Sequence, residues 1–75
     1  MNPKQEEKQY LKRLGENIKK IRLAKNMKQV DLANACNFDR QNMYHIEAGG
    51  HNLTILNIRK IAKELGVTVS QIVDV

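Results

Sequence analysis

Several residue types and patterns are scarce in this chain, and each scarcity narrows what the protein can be. Its 75 residues include one cysteine, which excludes an internal disulfide and fits a reducing compartment. No apolar run approaches the roughly 18 residues that span a bilayer. The first residues, MNPKQEEKQY, hold no apolar segment of the secretory type. We therefore expect a cytoplasmic protein without a membrane span.

The patterns of catalytic and metal sites are also missing. Carboxylates are scattered, no serine lies in a nucleophile elbow, and there is no glycine-rich phosphate loop. Cys36, His45 and His51 lack the close-paired spacing of structural zinc ligands. Cys36 falls on the apolar side of a predicted helix, which favours a buried small hydrophobe over a ligand or nucleophile. The sequence therefore predicts no enzyme, no metal and no cofactor.

The net charge of +5 is concentrated in the first third of the chain. Eight basic residues oppose three acidic ones up to Lys25, whereas five oppose five from Asn26 onward. A basic face attracts polyanions, although a solvated helix flank explains the charge equally well. The charge therefore supports polyanion binding without establishing it.

Apolar periodicity predicts a single all-α domain over residues 1–75. The first helix should run from about Glu7 to Lys25, with residues 1–7 as a flexible leader and Asn26 as C-cap. Gly15 within it marks either a close approach or a break. No segment longer than VTV alternates with period two.

Four more helices follow from capping and stop signals. The second should run from about Gln29 to Cys36, and the third from about Arg40 to Ala48, where Gly49-Gly50 ends it. Thr54 and Thr68 can cap a fourth and a short fifth helix. The fourth helix should carry these residues inward: Ile55, Ile58, Ile61, Ala62 and Leu65.

The segment from Gln29 to Gly49 is the most informative. It consists of two short amphipathic helices around a sharp turn, and the second has a polar outer face. Asn37 can adopt the left-handed conformation of a tight turn, and Asp39 can cap the helix that follows. This is the layout of a helix-turn-helix, which presents its second helix to the DNA major groove.

Residues in register across nearly the whole chain match a known family. They are Arg22, Gln29, Leu32-Ala33, Asn37, Ile46-Glu47, Gly49, and Ile61-Ala62 through Leu65-Gly66-Val67. From roughly Leu14 to Val73 the chain resembles the Cro/cI-type (XRE-like) helix-turn-helix family. The resemblance implies a compact five-helix bundle of the lambda-repressor-like kind. Such domains are commonly dimeric and regulate transcription at operators with two-fold symmetry.

Three positions depart from the family pattern. Lys28 stands where the family usually has a small hydroxyl cap, and a lysine there could reach a phosphate. Asn37 replaces the usual turn glycine at modest strain. Asp39 replaces the usual Ser/Thr cap, and its charge could repel phosphates or accept a hydrogen bond from cytosine N4.

Direct readout of bases needs hydrogen-bond donors and acceptors on the recognition helix, which is the predicted third helix over about residues 40–48. The candidates are Arg40, Gln41, Asn42, Tyr44 and His45. Arginine suits guanine, whereas glutamine and asparagine suit adenine. The family uses the glutamine equivalent to Gln29 to bind a phosphate, and the start of a helix favours an anion there. Further phosphate candidates are Lys25, Lys28, His51 and Asn52.

Two structural roles complete the prediction. The resemblance implies an ion pair between Arg22 and Glu47 that joins the first and third helices. The tail over residues 67–75 holds more apolar residues than two helical turns can bury in so small a domain, which favours a homodimer over a tail buried only in the core. The candidate dimerisation residues are Val69, Ile72, Val73 and Val75.

We therefore predict a regulator of transcription, in most cases a repressor, that binds double-stranded DNA. Small members of this family include controllers of restriction–modification systems and repressors of phages or mobile elements. Two alternatives remain open. One is an antitoxin that neutralises a partner toxin and represses its own operon; the other is a protein-interaction module without DNA binding. No second domain for a ligand is predicted, so control would come from dimer concentration or from a protein partner such as a toxin or anti-repressor.

Overall fold

In a computed structural model of the protein, residues 2–50 and 53–75 are described and form five helices. These are α1 (Pro3–Ala24), α2 (Gln29–Ala35), α3 (Arg40–Ala48), α4 (Ile55–Leu65) and α5 (Val69–Val73). The remaining described residues are turns and loops, so the all-α prediction is confirmed. None of the described helices has the length and hydropathy that a membrane crossing requires.

The first helix begins earlier than the sequence pattern predicts. Asn2 caps it, because its Oδ1 accepts a hydrogen bond of 2.9 Å from the backbone N–H of Gln5. Pro3 fits the first helical position, because the backbone N–H that proline lacks would have no partner within the helix there. Residues 3–7 therefore belong to α1 rather than to a flexible leader, and the predicted start near Glu7 is corrected to Pro3.

The turns and the C-terminal ends of the helices lie within one residue of where local signals place them. Gly49 and Gly66 end α3 and α4 with φ values of 80° and 70°. Asn37 adopts the left-handed conformation with φ 58°, as its place between α2 and α3 predicts. Asn26 has the same φ of 58° but follows the C-cap of α1, which is Lys25.

All five helices contribute side chains to one core. The largest fully buried side chains are Ile18, Leu32, Met43, Ile61, Leu65 and Ile72. Cys36 is 3% exposed within this core, as predicted for a buried small hydrophobe. The core thus packs α2 and α3 against α1 and α4, which fixes the orientation of the helix-turn-helix.

Two predicted apolar positions are corrected. The sequence places Ile72 in an exposed dimerisation patch, but it is 0% exposed because α5 packs against both α1 and α4. Asn17 on α1 holds α5 in place by donating its amide N–H groups to the carbonyls of Gln71 and Ile72, each at 2.9 Å. The sequence also places Ile55 inward, but it is 61% exposed. It lies in the first turn of α4, about 70° round the helix from the centre of the buried face.

Glycine lets α1 and α3 approach at backbone distance. A Cβ atom on Gly15 would lie 2.5 Å from the carbonyl oxygens of both Ile46 and Glu47. A Cβ atom on Gly49 would lie 2.7 Å from the Cα of Lys12. Gly15 therefore marks a close approach rather than a break. The two contacts hold the C-terminal half of α3 directly against α1.

Candidate nucleic-acid interface

The helix α3 has one buried face and one outward face. Asp39 begins it, with its Oδ1 accepting a hydrogen bond of 2.7 Å from the backbone N–H of Asn42. Met43 and Ile46 are buried in the core and set the rotation of the helix about its axis. A helix that starts on a cap and is held on one face offers the opposite face to a partner at a fixed angle.

The five predicted base-reading residues lie on two adjoining sides of α3. Arg40, Gln41 and Tyr44 are exposed, with Tyr44 at 58%. Asn42 and His45 are half-buried and line a shallow depression together with Gln41 and the cap residue before the helix. The rings of Tyr44 and His45 meet edge to face, with centroids 5.6 Å apart. The structure thus keeps all five candidates out of the core, on a surface that extends over more than one side of α3.

The ion pair expected between Arg22 and Glu47 is present and buried. The Arg22 Nε donates to Glu47 Oε2 at 2.7 Å, and its Nη2 donates to Oε1 at 2.9 Å. The side chains are 6% and 3% exposed. The Arg22 Nη1 also donates to the carbonyl of Met27 at 2.8 Å, which ties the turn after α1 to the same group. This third bond has no sequence signal, because its acceptor belongs to the main chain.

The Gln29 side chain makes a hydrogen bond that the sequence does not reveal. Its Nε2 donates to Glu47 Oε1 at 3.1 Å, so the predicted phosphate-binding side chain is fixed to α3. The Glu47 carboxylate therefore joins three elements, since Arg22 belongs to α1 and Gln29 to α2. Lys28 is exposed beside Gln29, and its backbone N–H donates to Asp31 Oδ2 at 3.0 Å. His51 and Asn52, two further phosphate candidates, lie outside the described residues.

The surroundings of Cys36 shift the titration of its thiol. Burial raises the pKa of its thiol to about 11, Glu64 adds to the rise, and Lys60 opposes it. A thiol with so high a pKa is a poor nucleophile at neutral pH. Over residues 2–50 and 53–75, no three His, Cys, Asp or Glu side chains group as metal ligands would.

The predicted dimerisation residues differ in exposure. Val69 and Val73 are half-buried, Val75 is exposed, and Ile72 belongs to the core. The Tyr10 hydroxyl donates to the carbonyl of Val73 at 2.8 Å, which ties the end of α5 to α1. Among the described residues, the most exposed large apolar side chains are instead those of Ile55 and Leu56, at 61% and 64%, in the first turn of α4.

Comparisons with known proteins agree with this arrangement. A model of the helix-turn-helix family matches residues 18–72. Control protein C.BamHI of Bacillus amyloliquefaciens is 41% identical over 61 residues, which cover 80% of this chain and 75% of that protein.

Solved structures give the same result. The restriction-modification controller protein C.AhdI from Aeromonas hydrophila superposes with a TM-score of 0.80 at 29% identity, covering 83% of this chain and 94% of that one. The hypothetical transcription factor NHTF from Neisseria superposes with a TM-score of 0.81 at 33% identity, covering 88% and 75%. The matched family consists of regulators and not of enzymes. The chain belongs to the helix-turn-helix family of sequence-specific DNA-binding transcriptional regulators.

Proposed function

We propose that this protein is a controller-type repressor that binds a two-fold symmetric operator as a homodimer. The observation that carries the proposal is the outward polar face of α3, which is held at a fixed angle by a buried ion pair and two glycine contacts. The similarity to the restriction-modification controller protein C.AhdI supports the same role here, with the operator controlling genes of such a system.

In this proposal α3 enters the major groove and reads base edges from its first two turns. Arg40 and Gln41 are exposed where the helix begins, so they are the primary contacts. Each bidentate pair with a base would contribute about 1–3 kcal/mol of discrimination. Asn42, Tyr44 and His45 contact bases or phosphates from the adjoining side.

Phosphate contacts set the register of α3 on the duplex. Gln29 is suited to this role because Glu47 already fixes its side chain. Lys28 is exposed next to it and adds a positive charge. Asn52 stays a prediction from the sequence.

The second copy docks on an apolar surface formed by the start of α4 and the end of α5. Tyr10 supports this grouping, because its hydroxyl donates to the carbonyl of Val73 at the end of α5. Tyr10 also lines one pocket with Leu53 and Ile58, which precede and follow the first turn of α4 in the chain. The surface consists of Ile55, Leu56, Val73 and Val75. A symmetric pair of this kind would place two α3 helices in successive major grooves, about 34 Å apart.

Selection of binding sites from random duplexes at a fixed salt concentration tests the DNA proposal. The wild type should enrich a two-fold symmetric motif, because the two α3 helices read equivalent half-sites. Arg40→Ala should weaken binding by about tenfold or more and relax the base preference at one position in each half-site. Arg59→Ala removes an exposed arginine from α4 and should leave the motif unchanged. Salt-sensitive binding with no enriched motif would contradict the proposal.

Sedimentation equilibrium tests the dimer. Leu56→Lys places a charge in the proposed interface and should yield a monomer with weaker operator binding. Leu23→Lys is the matched control, because Leu23 is an exposed leucine on α1 outside this surface. A Leu56→Lys variant that dimerises like the wild type would refute this interface.

A further inference from the structure

Tyr44 presents an aromatic ring to solvent on the outward face of α3. The chain has two tyrosines, one phenylalanine and no tryptophan, and both Tyr10 and Phe38 are partly buried against the core. Tyr44 is instead 58% exposed. Its ring meets the ring of His45 edge to face, with centroids 5.6 Å apart, which restricts how the tyrosine ring can turn. The outward face of α3 therefore carries a large apolar surface that does not pack in the core.

Tyr44 lies between two other exposed residues on one stripe of α3. Gln41 precedes it by three residues and Ala48 follows it by four, and both are exposed. At 3.6 residues per turn the three positions lie within about 60° of one another around the helix. At 1.5 Å per residue, Tyr44 is about 4.5 Å further along the helix axis than Gln41. The ring thus lies beside an amide side chain that suits adenine.

The edges of base pairs in the major groove offer one apolar group, which is the 5-methyl group of thymine. The faces of the bases are stacked within the duplex, so a ring that enters the groove meets base edges. An A·T pair presents the N6 and N7 atoms of adenine and the thymine methyl group in the same groove. A thymine methyl group from the pair that Gln41 reads, or from the next pair about 3.4 Å away, would therefore lie within reach of the Tyr44 ring.

We propose that Tyr44 is a specificity-determining residue that packs its ring against the 5-methyl group of a thymine in each operator half-site. The inference rests on the proposed function, because it requires α3 to lie in the major groove. It goes further by naming the base and by assigning the contact to the ring rather than to the hydroxyl. Burial of one methyl group corresponds to about a fourfold change in affinity, so two such thymines in a symmetric operator give about fifteenfold.

The test replaces thymidine by deoxyuridine in the duplex that the wild type selects, which removes the 5-methyl group and keeps base pairing. Each thymine of the half-site is replaced in turn, at both symmetric positions, and thymines outside the motif provide the DNA control. Affinities are measured at one salt concentration for the wild type, Tyr44→Phe and Tyr44→Ala. Leu23→Ala is the protein control, because it shortens an exposed apolar side chain on α1.

Uracil at one thymine position of the motif should weaken wild-type binding by about fifteenfold when both half-sites are changed. Tyr44→Phe keeps the ring and should show the same loss. Tyr44→Ala should bind the thymine duplex more weakly than the wild type does. It should also bind the thymine and uracil duplexes alike, because the methyl contact is already gone. Leu23→Ala should respond to uracil as the wild type does, and uracil outside the motif should have no effect.

Three results overturn the inference while leaving the proposed function intact. The first is a selected motif without A·T pairs, or one in which uracil leaves wild-type binding unchanged at every thymine. The second is a full uracil effect in Tyr44→Ala, since the methyl group would then act through another residue or through the shape of the duplex. The third is an equal loss of affinity in Tyr44→Phe and Tyr44→Ala, which would assign the contact to the hydroxyl. Failure of the proposed function is recognised separately, because the wild type would then select no motif.

Discussion

Breaking the buried ion pair between Arg22 and Glu47 should destabilise the domain more than any exposed substitution. Arg22→Met keeps an unbranched side chain but leaves the Glu47 carboxylate buried, with the Gln29 amide at 3.1 Å as its remaining donor from this network. Removal of one partner from a buried pair costs about 3–5 kcal/mol. A domain of this length is stable by about 4–11 kcal/mol, at about 0.05–0.15 kcal/mol per residue. Arg22→Met should therefore lose a large fraction of the free energy of unfolding.

A double-mutant cycle measures the coupling free energy between Arg22 and Glu47 separately from their other contacts. Glu47→Leu leaves the Arg22 guanidinium buried with the carbonyl of Met27 as its acceptor, so it should cost a similar amount. Arg22→Met/Glu47→Leu removes both charges, and buried pairs replaced by apolar side chains are often neutral in stability. The double variant should be no less stable than the more stable single variant, which gives a coupling free energy of at least about 3 kcal/mol.

Urea unfolding followed by far-ultraviolet circular dichroism measures these differences. Lys20→Met makes a comparable exchange at an exposed position of α1 and should change stability by less than about 0.5 kcal/mol. Glu47→Gln is the milder variant if either single substitution fails to fold, because its amide oxygen still accepts one bond from Arg22. Single substitutions that cost less than about 1 kcal/mol each, and that add in the double variant, would refute the role assigned to the pair.

Three further predictions concern other positions. Gly15→Ala should lower the melting temperature, because overpacking against the carbonyls of Ile46 and Glu47 costs about 1–3 kcal/mol and outweighs the roughly 1 kcal/mol that alanine gains in a helix; a higher melting temperature would contradict this. The thiol of Cys36, with its pKa raised from 9.0 to about 11, should react with a thiol reagent at pH 8 at least about a hundredfold more slowly in the folded than in the unfolded chain. Stability should also fall as pH rises from 9.0 to about 11, since the unfolded chain loses this proton first; equal labelling rates would argue against both expectations. Asp39→Ala should lower the free energy of unfolding in urea by about 1 kcal/mol, because it removes the α3 cap. Asp39→Asn should keep most of that stability, because asparagine also caps helices; equal losses for the two variants would exclude capping as the cause.

Features specified by neighbouring residues could be predicted from the sequence. Gly49 and Gly66 end their helices because the left-handed conformation costs glycine little, whatever the rest of the fold does. The start of α1 is missed although its signal is local: Asn2, Pro3 and Gln5 form a capping box around a proline at the first helical position. The apolar periodicity that places the helix begins only later, so it assigns the polar first turns to a leader.

Features that depend on packing between distant segments could not be predicted in the same way. Ile72 is buried because α1 and α4 meet around α5, and the apolar content of the tail alone cannot distinguish such a site from a dimer surface. Ile55 has the expected spacing for a buried position, yet it lies near the edge of the buried face and remains exposed. The bond between Gln29 and Glu47 joins residues 18 positions apart, and nothing in either residue type specifies it.

That bond connects the stability of the domain to the proposed contacts with DNA. The primary amide of Gln29 carries two N–H groups, so one can remain on Glu47 while the other binds a phosphate oxygen. Glu47 also lies in α3, and Arg22 holds it against α1. A single carboxylate thus fixes the distance between the proposed phosphate contact on α2 and the proposed base contacts of α3. A substitution that frees this carboxylate would loosen the register of α3 on the duplex even where the domain stays folded.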